Sequence, residues 1–506
     1  MFQIEKTYKA SDSFRFFKLE RAVENIPLVS ILVASLYRNL KLVSANENTA
    51  NGYGQNLYSV LNSSTDVGLL FTNEELISLF NTSLSVPTSE KQQKQKKFWI
   101  SPLVPEIGNY GLSVRNNETK GAWNPGSFIL EIIANYCCDI EEFIEISSVL
   151  FSALKVTEGD NDIWSICVQS EFDCISKNLN IPVLHDFDED YFRDFFLVRA
   201  PRKKMMFHAK YARNAIVDLR NIVGLKNRIT RQKWIGFLEG YIRLTMFNHI
   251  IYTLNFSRNY YLLIEKCLLM GKSSVTSVEM KNLMNLEYNK NDVRIKVVTG
   301  RKQYIRDHIE SFGYYNALIG GLLEHCNIID FMDFESESDF IAITEKILSH
   351  IETQQKLKDF QIGFQNENEL ELARINEDYS SFKNIKESLG YLCSKKTSTR
   401  EKFISDVNFL FDKIGTNLNS PYTMKISPGL ISTLTSLIFL RKQEGNTFIS
   451  GLEFIQGLND YNIQLSINDI SSGEIKNTML SLGIVIDCPD TEGGVLIIKP
   501  AWIKNI

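Results

Sequence analysis

The chain runs 506 residues, with 44% hydrophobic and 23% charged residues and a formal net charge of −5. That composition excludes disordered and collagen-like chains, and the length predicts about three or four domains. Eight cysteines with no Cys-x-x-Cys exclude a disulfide scaffold and a zinc ribbon or finger.

The first residues, Met1 to Lys9, lack the charged-then-apolar order of a secretory signal. The apolar stretch Ile26–Leu36 is too short to span a bilayer, which takes about 20 residues. The expectation is therefore a cytoplasmic protein without a membrane partner. Apolar spacing predicts helix over 14–43, loop over 44–66 and a short helix over 74–80. Lysines 91, 94, 96 and 97 mark a polar hinge, and the Pro/Gly-rich 98–125 reads as irregular. Helix is predicted again from Ser127 to about Leu154, with Cys137-Cys138 inside it. A short strand or helical turn is expected over 164–168. From Tyr191 to Cys267 the pattern is helical almost throughout. A strand follows over 290–298, then helix over 304–326 and an acidic, solvated stretch over 330–378.

The densest charge lies between Arg199 and Lys233. Arg199, Arg202, Lys203, Lys204, Lys210, Arg213, Arg220, Lys226, Arg228, Arg231 and Lys233 are opposed only by Asp218, a local charge of +10 inside an acidic chain. Such an island attracts phosphate backbones by counterion release and needs no sequence information to do so. On a helix over 207–223, Lys210, Arg213 and Arg220 share one sector beside an apolar sector of Ala212, Ile216, Leu219 and Val223. Thr230 is placed to cap the next helix, where Trp234, Phe237, Leu238, Tyr241 and Ile242 form a core stripe. A second island comprises Lys290, Arg294, Lys296, Arg301, Lys302 and Arg306. The bland alternative is a salt-bridged face neutralised by the acidic stretch.

Catalytic motifs are weak. Gly271-Lys-Ser273 ends like a phosphate loop, but Lys266 stands where that motif needs glycine. His185, Asp186, Asp188, Glu189 and Asp190 gather in a way that could hold Mg²⁺ for nuclease chemistry, although an acidic helix start is the commoner meaning. Glu474-Ile-Lys476 has a nuclease-like spacing without a partner aspartate, and the histidines are scattered. No catalytic residue, metal ligand or cofactor is assigned.

Residues 428–500 predict helix over 430–441, helix over 450–458, helix over 469–482 ended by Gly483, and a hairpin of 484–486 with 495–498. Three helices followed by a hairpin resemble a winged-helix domain. That resemblance implies a third helix able to enter a DNA groove and a wing touching backbone. Here the third helix carries only Lys476 against Asp469 and Glu474, and the wing carries Asp487, Asp490 and Glu492. Those acids repel phosphate, so the module is expected to dock a protein.

The fold expected is mainly α and multi-domain, with a C-terminal α+β winged-helix-like module. Its segments are 1–90 (N-terminal helical), 91–195 (mixed helical and irregular), 196–330 (basic helical core), 331–415 (acidic helical) and 416–506 (the module). The function expected is a non-enzymatic nucleic-acid-binding or scaffolding subunit. Its setting would be a bacterial DNA-transaction or anti-phage defence system, with DNA bound through phosphates. The alternatives are a metal-dependent nuclease using 185–190, or a protein-only adaptor that resembles the kleisin subunits of chromosome-organising ATPases.

Overall fold

The computed structural model describes Leu36, Leu40, 125–137, 139–155, 186–199, 210–285, 295–296, Ile319, Leu322, Cys326, 337–351, Lys356, Asp359, 428–442, 447–491 and 494–503. These residues are mainly α-helical, with a small three-stranded sheet near the C-terminus. They fall into two compact units that do not follow chain order. One draws on the described residues within 36–198 and 216–242, the other on those within 199–215 and 243–503. The expected elements at 14–43, 44–66, 74–80, 91–125, 164–168 and 304–326 lie wholly or almost wholly outside the described residues. Among the described residues no helix is long and apolar enough to cross a membrane.

In the first unit, α1 (Pro125–Tyr136) and α2 (Ile140–Leu154) replace the single helix expected over 127–154. The break is chemical. Asp139 adopts an extended backbone (φ −149°), and its carboxylate accepts the Glu142 N–H at 2.8 Å, which starts a new helix rather than continuing the old one. Cys137 sits buried at that break. Helix α3 (Glu189–Arg199) packs its aromatic face on α2, with Phe143 6.1, 6.0 and 5.4 Å from the rings of Phe192, Phe195 and Phe196.

Helix α4 (Lys210–Gly224) leads through a 3₁₀ turn at Lys226–Arg228 into α5 (Arg231–Leu269), a helix of 39 residues. Ala212, Ile216 and Leu219 are buried and Val223 is half-buried, so the expected apolar sector of α4 faces inward. The core stripe of α5 is buried as well, and the Trp234 indole donates to the Ile222 carbonyl at 2.7 Å. That bond joins the end of α4 to the first turns of α5.

In the second unit, α5 ends at a glycine-dependent turn before α6 (Ser277–Asn285). The Lys272 N–H reaches the Cys267 carbonyl, the Gly271 N–H reaches Leu268, and Gly271 has φ 63°. This is a Schellman ending, so Gly271-Lys-Ser273 is a helix stop. Helix α7 (Glu337–His350) follows β1 (Ile295–Lys296). The Thr344 hydroxyl donates to the Phe340 carbonyl, so the Tyr260 phenol donates to Thr344 at 3.1 Å. Burial pushes the titration of that phenol upward. Phe256 and Tyr260 meet Phe340 edge-on at 5.6 and 5.4 Å, a geometry aromatic pairs favour.

The C-terminal region begins with α8 (Pro428–Arg441), then β2 (Phe448–Ser450), α9 (Gly451–Asn459) and β3 (Ile463–Gln464). After these come α10 (Ile467–Ser471), α11 (Gly473–Ser481), β4 (Val485–Asp487) and β5 (Val495–Ile498). The sheet order is β2-β5-β4, antiparallel throughout, while β3 pairs in parallel with β1. The expected third helix is split, because Ser472 is extended and Gly473 takes φ 87°, a conformation glycine adopts without a Cβ penalty. Strand β2 is an addition to the expected elements; three residues before a capping box give too short an alternation to recognise. Asn462, buried at φ 57°, donates its amide to Asn248 on α5, whose own amide reaches the Leu244 carbonyl.

Candidate nucleic-acid interface

The basic segment divides into surface and interior. Arg213 on α4 and Arg228 on the 3₁₀ turn are exposed. Arg220 is 56% exposed and donates from Nη2 to Glu142 Oε1 on α2 at 2.8 Å. Arg213 and Arg220 share the outer sector of α4, as their seven-residue spacing implies.

Lys226 and Arg231 lie inside, only 6% and 2% exposed. Both Nη atoms of Arg231 donate to the Leu154 carbonyl at 3.2 Å, and the Lys226 ammonium donates to the Lys155 carbonyl. Those carbonyls close the C-terminal end of α2, where the helix dipole favours cations. Their burial removes both side chains from any solvent-facing set. Lys233 is half-buried with Nζ 5.7 Å from the Phe237 ring, and burial lowers its titration.

Arg199 closes α3 and Lys210 opens α4, but their side chains, with all of Arg202, Lys203 and Lys204, lie outside the described residues. Of the second island only Lys296, in β1, is described.

Arg193 stands outside the charge island and escapes a reading based on charge density. It lies on α3 and binds two carboxylates, Glu141 at 3.0 and 3.3 Å and Glu189 at 3.0 and 2.7 Å. These bonds hold its guanidinium charged, the Glu189 bond contributing most. The Glu189–Arg193 spacing of four is the signal that could have found it.

Three carboxylates of the acidic run at 186–190 take local roles. Asp188 accepts the Tyr191 N–H at 3.0 Å and caps α3, Asp186 pairs with Lys155 at 3.3 Å, and Glu189 holds Arg193. His185 lies outside the described residues. Among the described residues no three His, Cys, Asp or Glu side chains converge as a metal site.

The C-terminal region offers a different surface. Lys476 on α11 pairs with Asp487 at the end of β4, which also leaves Glu474-Ile-Lys476 without a free cation. The exposed side of α11 carries Glu474, Asn477, Leu480 and Ser481. The sheet is mainly apolar on both faces. Ile449, Ile497 and Val485 point inward, while Phe448 and Ile486 stand exposed on the outer face with Leu496 and Ile498 between them. Comparison with protein-family models, with curated proteins and with solved structures gives no match to this chain.

Proposed function

We propose that the chain is a non-enzymatic nucleic-acid-binding and scaffolding subunit, an accessory to a DNA-transaction or anti-phage defence assembly. The observation that carries the reading is the +10 island at 199–233, of which Arg213 and Arg228 are exposed and Arg220 lies open beside them in the chain. Exposed guanidinium groups meet phosphate with forked hydrogen bonds and little desolvation cost. The contact is non-specific and strongly salt-dependent. Lys226 and Arg231 drop out of the phosphate-binding set, because their donors serve the end of α2.

Residues 428–503 read as a winged-helix-like module that docks a protein. The order of helices and strands supports the likeness, as does the antiparallel β2-β5-β4 sheet. Protein rather than DNA is favoured by the Lys476–Asp487 pair and by the apolar outer face of the sheet.

Titration of duplex DNA, single-stranded DNA and RNA across a salt series tests the first part. Changing Arg213 and Arg228 to Glu should weaken binding at least tenfold. It should also make the slope of log K against log salt shallower by about 1.8 on duplex DNA, about 0.9 for each phosphate no longer neutralised. A variant with Arg202, Lys203 and Lys204 changed to Glu maps the rest of the island. Wild type that ignores all three nucleic acids at low salt would end this reading, leaving the protein-only adaptor.

A further inference from the structure

We infer that Glu142 is a built-in competitor of phosphate for Arg220, so that the first turn of α2 limits how tightly the basic surface holds nucleic acid. The inference rests on the nucleic-acid reading above and adds the regulation of that surface.

Asp139, Glu141 and Glu142 crowd the start of α2, where Asp139 caps the helix and the two glutamates reach sideways to neighbouring helices. Glu141 takes Arg193 of α3, and Glu142 takes Arg220 of α4. The two arginines are held very differently. Arg193 makes four hydrogen bonds to two carboxylates, so losing either leaves it anchored by the other. Arg220 has one bond, at 2.8 Å, from a side chain 56% exposed.

A single exposed pair of this kind is weak, on the order of 0.2–1 kcal/mol. A phosphate oxygen offers the same charge and acceptor geometry as the carboxylate it displaces. Arg220 can therefore exchange partners, while Arg193 stays with its own. Glu142 opposes the exchange twice, by holding the guanidinium and by repelling the incoming phosphate.

The test measures duplex DNA affinity and its salt slope for wild type, Glu142→Gln, Glu141→Gln, Arg220→Gln and the Glu142→Gln/Arg220→Gln double variant. Each is checked by circular dichroism and thermal unfolding, because Glu142 also lies at a helix start. Glu142→Gln should tighten binding by about 1.4- to fivefold, the range of one exposed pair. Its salt slope should steepen by about 0.9, as one further phosphate is neutralised. Glu141→Gln should gain less, and Glu142→Gln should gain clearly less in the Arg220→Gln background than in wild type, because only the repulsion is left to relieve there. Equal gains with and without Arg220 would overturn the inference, since only net charge would then matter. So would an unchanged Glu142→Gln in a wild type that binds DNA, leaving the parent reading intact. Wild type without DNA affinity overturns both.

Discussion

The basic segment and the C-terminal region carry their charge in opposite ways. In the first, a run of cations is conspicuous in sequence, yet Lys226 and Arg231 are buried on main-chain carbonyls and Arg220 and the nearby Arg193 are held by glutamates. In the second, charge is sparse and locally matched, Lys476 with Asp487 and Arg441 with Asp460, while apolar side chains face outward. Counting charge therefore measures a surface only after the structural cations are subtracted. A cation that closes a helix end is architecture, however basic its neighbours.

The sharpest way to break that comparison is to treat a buried cation as a surface one. Arg231→Ala removes both donors from the Leu154 carbonyl and leaves a cavity beneath α5. Removing one side of a buried charged hydrogen bond costs about 3 kcal/mol. Urea unfolding should show this loss, whereas Arg213→Ala and Arg228→Ala should stay within about 0.5 kcal/mol of wild type, as exposed substitutions do. Equal, small effects at all three positions would erase the division between surface and interior.

Within the C-terminal region the equivalent test is steric. A Cβ on Gly457 of α9 would lie 2.9–3.0 Å from three side-chain carbons of Ile438 on α8. Replacing a helical glycine by alanine ordinarily gains about 1 kcal/mol of helix propensity. Here overpacking against a branched, buried neighbour costs about 1–3 kcal/mol, so Gly457→Ala should lose about 1 kcal/mol net. A stabilised variant would show that α8 and α9 are less tightly apposed than Ile438 implies.

How much is legible in the sequence follows from what each signal measures. Periodicity finds α4, the core stripe of α5 and the β4–β5 hairpin because each element buries its apolar residues on one side. It passes over the breaks at Asp139 and Ser472–Gly473, where hydrophobicity continues and only the capping chemistry changes. Asp139 with Glu141 and Glu142 is a readable start signal; Ser472-Gly473 is a readable stop. The fate of Lys226 and Arg231 is not readable. Their partners lie 71 and 77 residues away, and nothing local distinguishes a cation on a distant carbonyl from one in water. The Glu142–Arg220 pair spans 78 residues and is hidden for the same reason.

The smallest expected effect concerns charge at the start of α9. Ser450 and Glu453 form a capping box, and the Glu453 carboxylate accepts the Lys442 ammonium and the Ser450 N–H, each at 2.8 Å. Lys442 first and the Ser450 amide second hold that carboxyl below its ordinary 4.5. A carboxyl depressed by folding adds stability that is fully present above its unfolded value and fades as pH falls through the folded one. The side chains are partly solvated, so the contribution is about 0.5–1 kcal/mol. Urea unfolding of wild type and Glu453→Gln should therefore differ by about that amount at pH 7 and converge in acid, once the carboxyl is protonated in both states. A gap that persisted in acid would assign the loss to the shape of the cap. A gap that closed would assign it to the carboxylate's charge, the kind of local matching by which this region differs from the basic segment.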